Sequence, residues 1–384
     1  MAARAVETEH RVTPRELFFD LVFVFAFTQV ATMLSEDPTF AGIGRGVLVV
    51  AAVWWAWTAY AWLTNTVDPE EGFVGAALLV ALSAMFVAAL AVPGAFGDDG
   101  VLFGAAFLLV CTMHLALYAL AGRGMPDLLA AVLRLAPWTL VGATLILIAG
   151  FTDGARVWLW VAALLCTYVG AGLSGSTGWR IHPSHLAERY GLVIIIALGE
   201  AFVAIGIGAR GVDLGLGEIA AAILGLLAAT GFWLAYFDFF AIRGERVLID
   251  REGPDRIALA RDVYAYAHLP MIVGIVLFAF AMKTIVAHVG DELDSVVAFA
   301  LCGGCAIYLL AYSVVRSRVE RRLRASRGRL AAALLFLLVL PLATAVPALA
   351  ALALVTLIWA GLHTYEIVWW REARAESRSM LASS

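Results

Sequence analysis

The chain has 384 residues, 63% of them hydrophobic and 15% charged, with a mean hydropathy of +0.91. A soluble domain is about half apolar and about a quarter charged, so this composition excludes an ordinary water-soluble globule. The net charge of −4, with no basic surface interleaved with aromatics, gives no support to a nucleic-acid partner. The partner implied is the lipid bilayer.

A bilayer core about 30 Å thick takes about 20 apolar residues of helix. Stretches that meet or approach this length run at 17–35, 42–64, 73–93, 101–121, 130–150, 157–174, 189–209, 217–240, 264–287, 295–315, 330–346 and 348–368. They predict an all-α, polytopic bundle of about twelve transmembrane helices, because runs so long and so continuously apolar are not barrel strands. Pro341 and Pro347 leave two options for the last pair, a tight hairpin or one bent segment. The first 15 residues are charged and no cleavage site follows the first apolar run, which predicts an uncleaved first span. The mixed-charge interval Arg243–Asp262 reads as a solvated connector with a short helix after Pro254. His268 followed by Pro270 predicts a kink at the inner end of span 9, where a freed carbonyl could serve a cavity.

Arginine placement tests the span count. With the N-terminus inside, Arg4, Arg11, Arg15, Arg123, Arg134, Arg180, Arg189, the runs Arg243–Arg261 and Arg316–Arg329, and Arg371, Arg374 and Arg378 are cytoplasmic. Arg45, Arg156 and Arg210 fall outside, beside acidic loops containing Asp98, Asp99, Asp291, Glu292 and Asp294. This bias predicts an N-in, C-in topology with an even number of spans. The run from Arg316 to Arg329 is placed against anionic headgroups.

The halves resemble each other. Leu21–Gln29 (LVFVFAFTQ) aligns with Leu192–Glu200 (LVIIIALGE), with Glu16 and Glu188 ahead of them. Trp57 and Tyr60 match Trp233 and Tyr236. Cys111 and Tyr118 match Cys305 and Tyr312, Arg134 matches Arg329, and Thr167–Gly172 matches Thr356–Gly361. The consistent order predicts a 6+6 parallel internal repeat. The domains expected are a cytoplasmic segment (1–16), a first six-helix repeat (17–174), a cytoplasmic connector (175–188), a second repeat (189–370) and a tail (371–384).

A charge at the bilayer centre costs about 2.5–3.5 kcal/mol on insertion scales, so each one needs a partner or a function. Glu200 lies eleven residues beyond Arg189, about 16 Å along a helix and on nearly the same face. One reading makes Glu200 a proton- or substrate-handling group, with Gln29, Asp20 and Arg189 as its companions. The other makes it internal glue, bonded to Gln29 or a hydroxyl. Gly199, Gly206 and Gly208 are expected to admit a neighbouring helix. Asp20 follows Glu16 by one turn and is expected to clamp the repeats through Arg15, Arg189 or His185. Glu16, His185 and Glu188 mark the helix entrances, and Asp238, His114 and His268 are secondary candidates. Arg134, Lys283, His363 and Glu366 are further ionisable groups in or near spans, several of them, Lys283 included, close enough to an end to snorkel.

His182, His185 and Glu188 recur every three residues, a spacing wrong for paired metal ligands, so no metal site is expected. Cys302 and Cys305 form a CGGC inside a span without a second pair or a nearby histidine, and read as packing residues with Cys111 and Cys166. No HExxH, GxSxG, P-loop or dinucleotide fingerprint occurs. That argues against an ATP-driven pump, supports no enzyme and implies no cofactor.

The stretches Arg15–Gln29 (RELFFDLVFVFAFTQ) and His185–Glu200 (HLAERYGLVIIIALGE) resemble the two signature segments of the bacterial low temperature requirement A (LtrA) family. The resemblance covers nearly the whole chain. It implies a multipass protein of the bacterial inner membrane, linked by name to growth at low temperature, with no agreed substrate or reaction. It marks Glu16, Phe19, Asp20, His185, Glu188, Arg189, Gly199 and Glu200 without giving them roles. Three functions stay open at this stage. They are a secondary transporter or permeation protein with a small-molecule or ion ligand, a lipid-binding or lipid-modifying protein, and a structural or signalling protein whose buried charges are clamps. The sequence assigns no substrate, coupling ion or oligomeric state.

Overall fold

The computed structural model describes residues 12–70, 72–238, 240–320 and 326–369. The expected N-terminal arm before residue 12, the tail after residue 369 and residues 321–325 of the basic run lie outside them. Among the described residues the chain is all-helical, and the one β-feature is an isolated bridge between Glu292 and Pro347.

Six helices form the first half: α1 (Pro14–Glu36), α2 (Phe40–Thr64), α3 (Gly72–Leu90), α4 (Gly100–Ala121), α5 (Pro126–Gly150) and α6 (Arg156–Leu173). The second half opens with α7 (Pro183–Gly208) and α8 (Leu216–Phe237). The connector then folds into α9 (Phe240–Ile249) and α10 (Gly253–Leu259), so it is more helical than expected. Pro254 does stand in the first turn of α10, where its missing N–H is harmless. A π-helical turn, Ala260–Tyr266, leads into α11 (His268–Ala287). Next come α12 (Ser295–Ala298), a second π-turn (Phe299–Gly303) and α13 (Gly304–Glu320). The chain closes with α14 (Arg327–Ala343) and α15 (Ala348–Trp369).

Among the described residues, eleven helical segments are long and apolar enough to cross a membrane. The stretch expected as the eleventh of twelve spans is α14, whose 17 residues make it about 25 Å long. A twelve-span reading is therefore compatible with the fold. Helices α14 and α15 are separate, joined by Thr344–Pro347, which resolves the bent-segment alternative in favour of a hairpin.

Burial separates centre from periphery. The α2, α11 and α13 segments are mostly buried, whereas α3, α5 and α6 show most of their length outward. The outward residues are large and apolar, among them Phe73, Phe151, Trp158, Leu216 and Leu338. Such a surface suits lipid, since soluble chains rarely expose contiguous apolar area of this extent. Where helices meet most closely, glycine is needed. A Cβ on Gly274 of α11 would lie 2.5 Å from the Gly304 carbonyl oxygen, and one on Gly304 would lie 2.7 Å from that of Gly274.

Helix pairing follows one pattern in both halves. In the first, α1 packs on α2 and α3, α2 on α4 and α6, α3 on α4, α4 on α5, and α5 on α6. In the second, α7 packs on α8 and α11, α8 on α13 and α15, α11 on α13, α13 on α14, and α14 on α15. The same seven pairings recur when α7, α8, α11, α13, α14 and α15 are set against α1 to α6.

Candidate functional site: a buried polar knot and an isolated carboxylate

The site begins with the capping of α1. The Glu16 N–H donates to the Thr13 hydroxyl at 3.3 Å, and the Thr13 N–H donates to Glu16 Oε2 at 2.9 Å. This reciprocal capping box fixes the carboxylate at the helix N-terminus, where the helix dipole favours negative charge. Helix α7 starts without a side-chain cap, with Pro183 in its first turn as Pro14 is in that of α1, and places His185 and Arg189 one turn apart on one face.

These two N-termini meet beside the C-terminal end of α2. Arg189 Nη1 donates to Glu16 Oε1 at 2.6 Å and to Thr64 Oγ1 at 3.1 Å, and Nη2 donates to Asp20 Oδ1 at 2.7 Å. Trp57 Nε1 donates to the same Asp20 oxygen at 2.9 Å, and its ring centroid lies 5.8 Å from the Arg189 guanidinium carbon. His185 Nε2 stands 3.1 Å from Glu16 Oε2. Asn65, at the end of α2, ties this histidine in place. Its Oδ1 accepts from the His182 N–H, and its Nδ2 donates to the His182 carbonyl at 3.0 Å and faces His185 Nδ1 at 2.9 Å. With the amide orientation set in this way, His185 Nδ1 is the acceptor and Nε2 carries the proton given to Glu16.

Glu16, Asp20, His185 and Arg189 are 2%, 0%, 1% and 1% exposed, so the knot is sealed from solvent. One guanidinium serves two carboxylates. Asp20 Oδ2 and Arg189 Nε find no hydrogen-bond partner among the described residues. Of the three partners expected for Asp20, Arg189 is the one observed. His185 turns to Glu16, and Arg15 bonds the Pro69 carbonyl and pairs with Glu70 at 3.2 Å. Glu188 points away from the knot, is exposed, and accepts from the Val12 N–H at 3.3 Å.

Helices α1 and α7 run side by side in the same direction. Contacts from residues 16 and 20 to residue 189 are followed further along by Thr28 to Glu200. Glu200 is 1% exposed, and its Oε2 accepts a hydrogen bond from the Thr28 hydroxyl. The hydroxyl of the sequence-level alternatives is therefore the partner seen, and the half-buried Gln29 beside it is not. No arginine pairs with Glu200 among the described residues. The cation whose charge acts on it is Lys283 of α11. Lys283 stands four residues before the end of α11 and is partly exposed. Of the three α7 glycines expected to admit a neighbouring helix, Gly208 alone is a close approach: its Cβ would meet the Lys283 carbonyl, whereas one on Gly199 or Gly206 would meet nothing within 4 Å.

The model of the family described as bacterial low temperature requirement A protein (LtrA) matches residues 11–364. The chain belongs to the LtrA family. It is also similar to Uncharacterized protein RA0937 of Rhizobium meliloti (strain 1021), 32% identical over 319 residues, covering 80% of this chain and 77% of that one. No solved structure matches.

Both segments through which the chain resembles LtrA proteins thus meet in space. Phe19 of the first packs on Tyr60, ring centroids 4.9 Å apart, behind the Glu16–Asp20 carboxylates. The secondary candidates lie elsewhere. His268 bonds the Tyr236 hydroxyl at 3.0 Å and the Val263 carbonyl at 2.8 Å. Trp54 Nε1 donates to the Ala265 carbonyl at 2.7 Å. The irregularity expected at Pro270 is thus the π-turn just before it, and two of its carbonyls are taken by side chains. Asp238 ends α8, while His114 is buried on α4.

A second knot was only partly legible. Arg329 donates to Glu366 through Nε at 2.6 Å and Nη2 at 3.1 Å, bonds the Ala235 carbonyl at 3.0 Å, and lies 3.8 Å over the Tyr312 ring. Its repeat counterpart Arg134 likewise reaches from the start of α5 to the end of α6, at the Ser174 carbonyl, 3.0 Å away. Sequence reasoning missed Thr28, Thr64 and Asn65. The one signal for them was a polar group flush with the end of span 2 or on the face of α1 that carries Asp20.

Proposed function

We propose that this LtrA protein is a secondary transporter or permeation protein of the bacterial inner membrane, in which Glu200 is the titratable group and the Glu16–Asp20–His185–Arg189 knot clamps its two halves. One observation carries the reading. The carboxylates of Glu16, Asp20 and Glu366 each hold an arginine, whereas Glu200 is as deeply buried and is held by a hydroxyl. A carboxylate fixed by a guanidinium is held in place as half of an ion pair. One held by a hydroxyl can take up and release a proton with only a local rearrangement, as intramembrane proton carriers do.

The parallel repeat fits this reading. The α1–α7 polar contacts fall at sequence separations of 173, 169 and 172, close to the offset at which the two segments align. Pseudo-equivalent helices therefore meet at the interface between halves, where secondary transporters place their sites. At the aligned position of Gln29 and Glu200, only the second half brings a titratable group.

The test is proton flux into proteoliposomes under an imposed potassium-diffusion potential. The wild type is expected to acidify the lumen faster than protein-free vesicles, and Glu200→Gln to lose at least about tenfold of that rate with unchanged thermal stability. A wild type no faster than empty vesicles, or a Glu200→Gln variant with full flux, would contradict the proposal. The sealed state of Asp20 favours a second reading, a static structural or signalling protein, and the same result would select it.

A further inference from the structure

Thr28 lies half-buried on α1 and reaches two acceptors with a single hydroxyl. One is Glu200 Oε2 on the other half of the molecule, and the other is the Val24 carbonyl of its own helix, 3.2 Å away. Thr32 and Ser35, one and two turns further along α1, bond only the carbonyl four residues back among the described residues, at 3.0 and 2.8 Å. A hydroxyl has one proton to give and two lone pairs to receive with, so Thr28 serves one of its acceptors at a time.

The choice follows the state of Glu200. An ionised carboxylate only accepts, and the Thr28 O–H then points at Oε2. A protonated carboxyl carries its own O–H, which donates to Thr28 Oγ1, and the Thr28 proton turns to the Val24 carbonyl. The exchanged proton binds Oε2 from solvent and leaves from the same oxygen. No heavy atom moves, and each donor of the pair is met in both states. A buried polar group left unmet is costly, so a site that satisfies both forms keeps both within reach. Arg189 differs, since a guanidinium only donates and offers no acceptor to the O–H of a protonated carboxyl. The two members of the pair also come from different halves. In the aligned segments Thr28 corresponds to Gly199 and Gln29 to Glu200, so one half brings the hydroxyl and the other the acid.

We infer, on the reading of Glu200 as the titratable group, that Thr28 is the positioning residue for its proton exchange, a switch whose hydroxyl turns between Glu200 and the Val24 carbonyl. Few charges surround this pair. The charged side chain that acts on Glu200 is Lys283 of α11. On α1, Glu16 and Asp20 are bound by Arg189, and Glu36 ends the helix, exposed. Glu218 of α8 caps its own helix at Gly215, Arg45 of α2 pairs with Asp37, and the charges of α9 lie beyond the C-terminal end of α8.

The experiment is infrared difference titration of the full chain in lipid nanodiscs, following the protonated-carboxyl band that Glu200→Gln removes. Thr28→Val deletes the hydroxyl, which withdraws more from the ionised form than from the neutral one because charge-assisted hydrogen bonds are the stronger. Its midpoint should therefore move up by about one pH unit. Thr28→Ser should keep the wild-type midpoint, and so should Thr32→Val, which deletes a hydroxyl bonded within α1. An equal midpoint in wild type and Thr28→Val, or a shift of the same size in Thr28→Ser or Thr32→Val, would overturn the switch while leaving Glu200 as the titrating group. A wild type without a Glu200 band would overturn the transport reading together with it. Should Thr28→Val fail to fold, Thr28→Ala takes its place with the same expectation.

Discussion

Arg189 holds Glu16, Asp20 and Thr64 with one planar fork, and all three carry short, direct contacts in a sealed site. Removing it leaves two buried carboxylates facing each other, a change that costs ~3–5 kcal/mol when a buried pair loses one member. Arg189→Met is therefore expected to lower the unfolding temperature sharply in detergent. Arg189→Lys should restore only part of the loss, since an ammonium cannot bridge both carboxylates in the same plane. The neutral triple variant Glu16→Gln, Asp20→Asn and Arg189→Gln should unfold above Arg189→Met, a comparison that thermal melts followed by size exclusion would settle. Outside the spans, Asp37 accepts hydrogen bonds from Arg45 and Thr39, and the arginine above all holds its carboxyl below the usual carboxylate range. Stability from a lowered carboxylate is present above the unfolded-state value of about 3.9 and is lost as pH falls through the folded one. Asp37→Asn should thus melt slightly lower than wild type at neutral pH, within the ~0.2–1 kcal/mol of a partly exposed pair, and the difference should vanish in acid. At this scale the sequence was informative about which charges needed partners and less so about which partners they take. Asp20 had three suitors by position alone. The choice depends on how α1, α2 and α7 pack, and Asn65 and Thr64 enter only because α2 ends level with the starts of α1 and α7.

At the scale of elements, hydropathy located the helices because a bilayer sets their length, and arginines marked one end of the bundle. What hydropathy could not mark was helical irregularity. Ala260–Tyr266, which leads into an apolar run, and Phe299–Gly303, which lies inside one, are π-turns, where one extra residue per turn leaves composition unchanged. Gly274 and Gly304 show the same limit, since thirty-five glycines occur and backbone contact decides which of them matter. Gly274→Val is expected to destabilise by ~1–3 kcal/mol, because the atom it meets is a backbone carbonyl that cannot move aside. Gly206→Ala, which meets nothing within 4 Å, should be neutral or slightly stabilising. Paired melts of the two variants check this, and equal losses would contradict the packing account.

For the whole molecule, two clusters of side chains are among the contacts that join the halves. The polar knot ties α1 and α2 to α7, and an aromatic group of Trp54, Tyr190, Tyr264 and His268 ties α2 to α7, α11 and the π-turn before it. The shared helix pairing of the halves supports duplication, and the places where they differ are the places with chemistry. Trp57 serves Asp20 while its counterpart Trp233 faces outward, and Gln29 stands where the second half has Glu200. The account therefore turns on whether Glu200 changes protonation while the clamp does not. Infrared difference spectroscopy of the chain in lipid, titrated across pH, measures this directly. A protonated-carboxyl band that grows as pH falls and is missing from Glu200→Gln is the expected result. A spectrum whose carboxyl bands titrate identically in wild type and Glu200→Gln would contradict it.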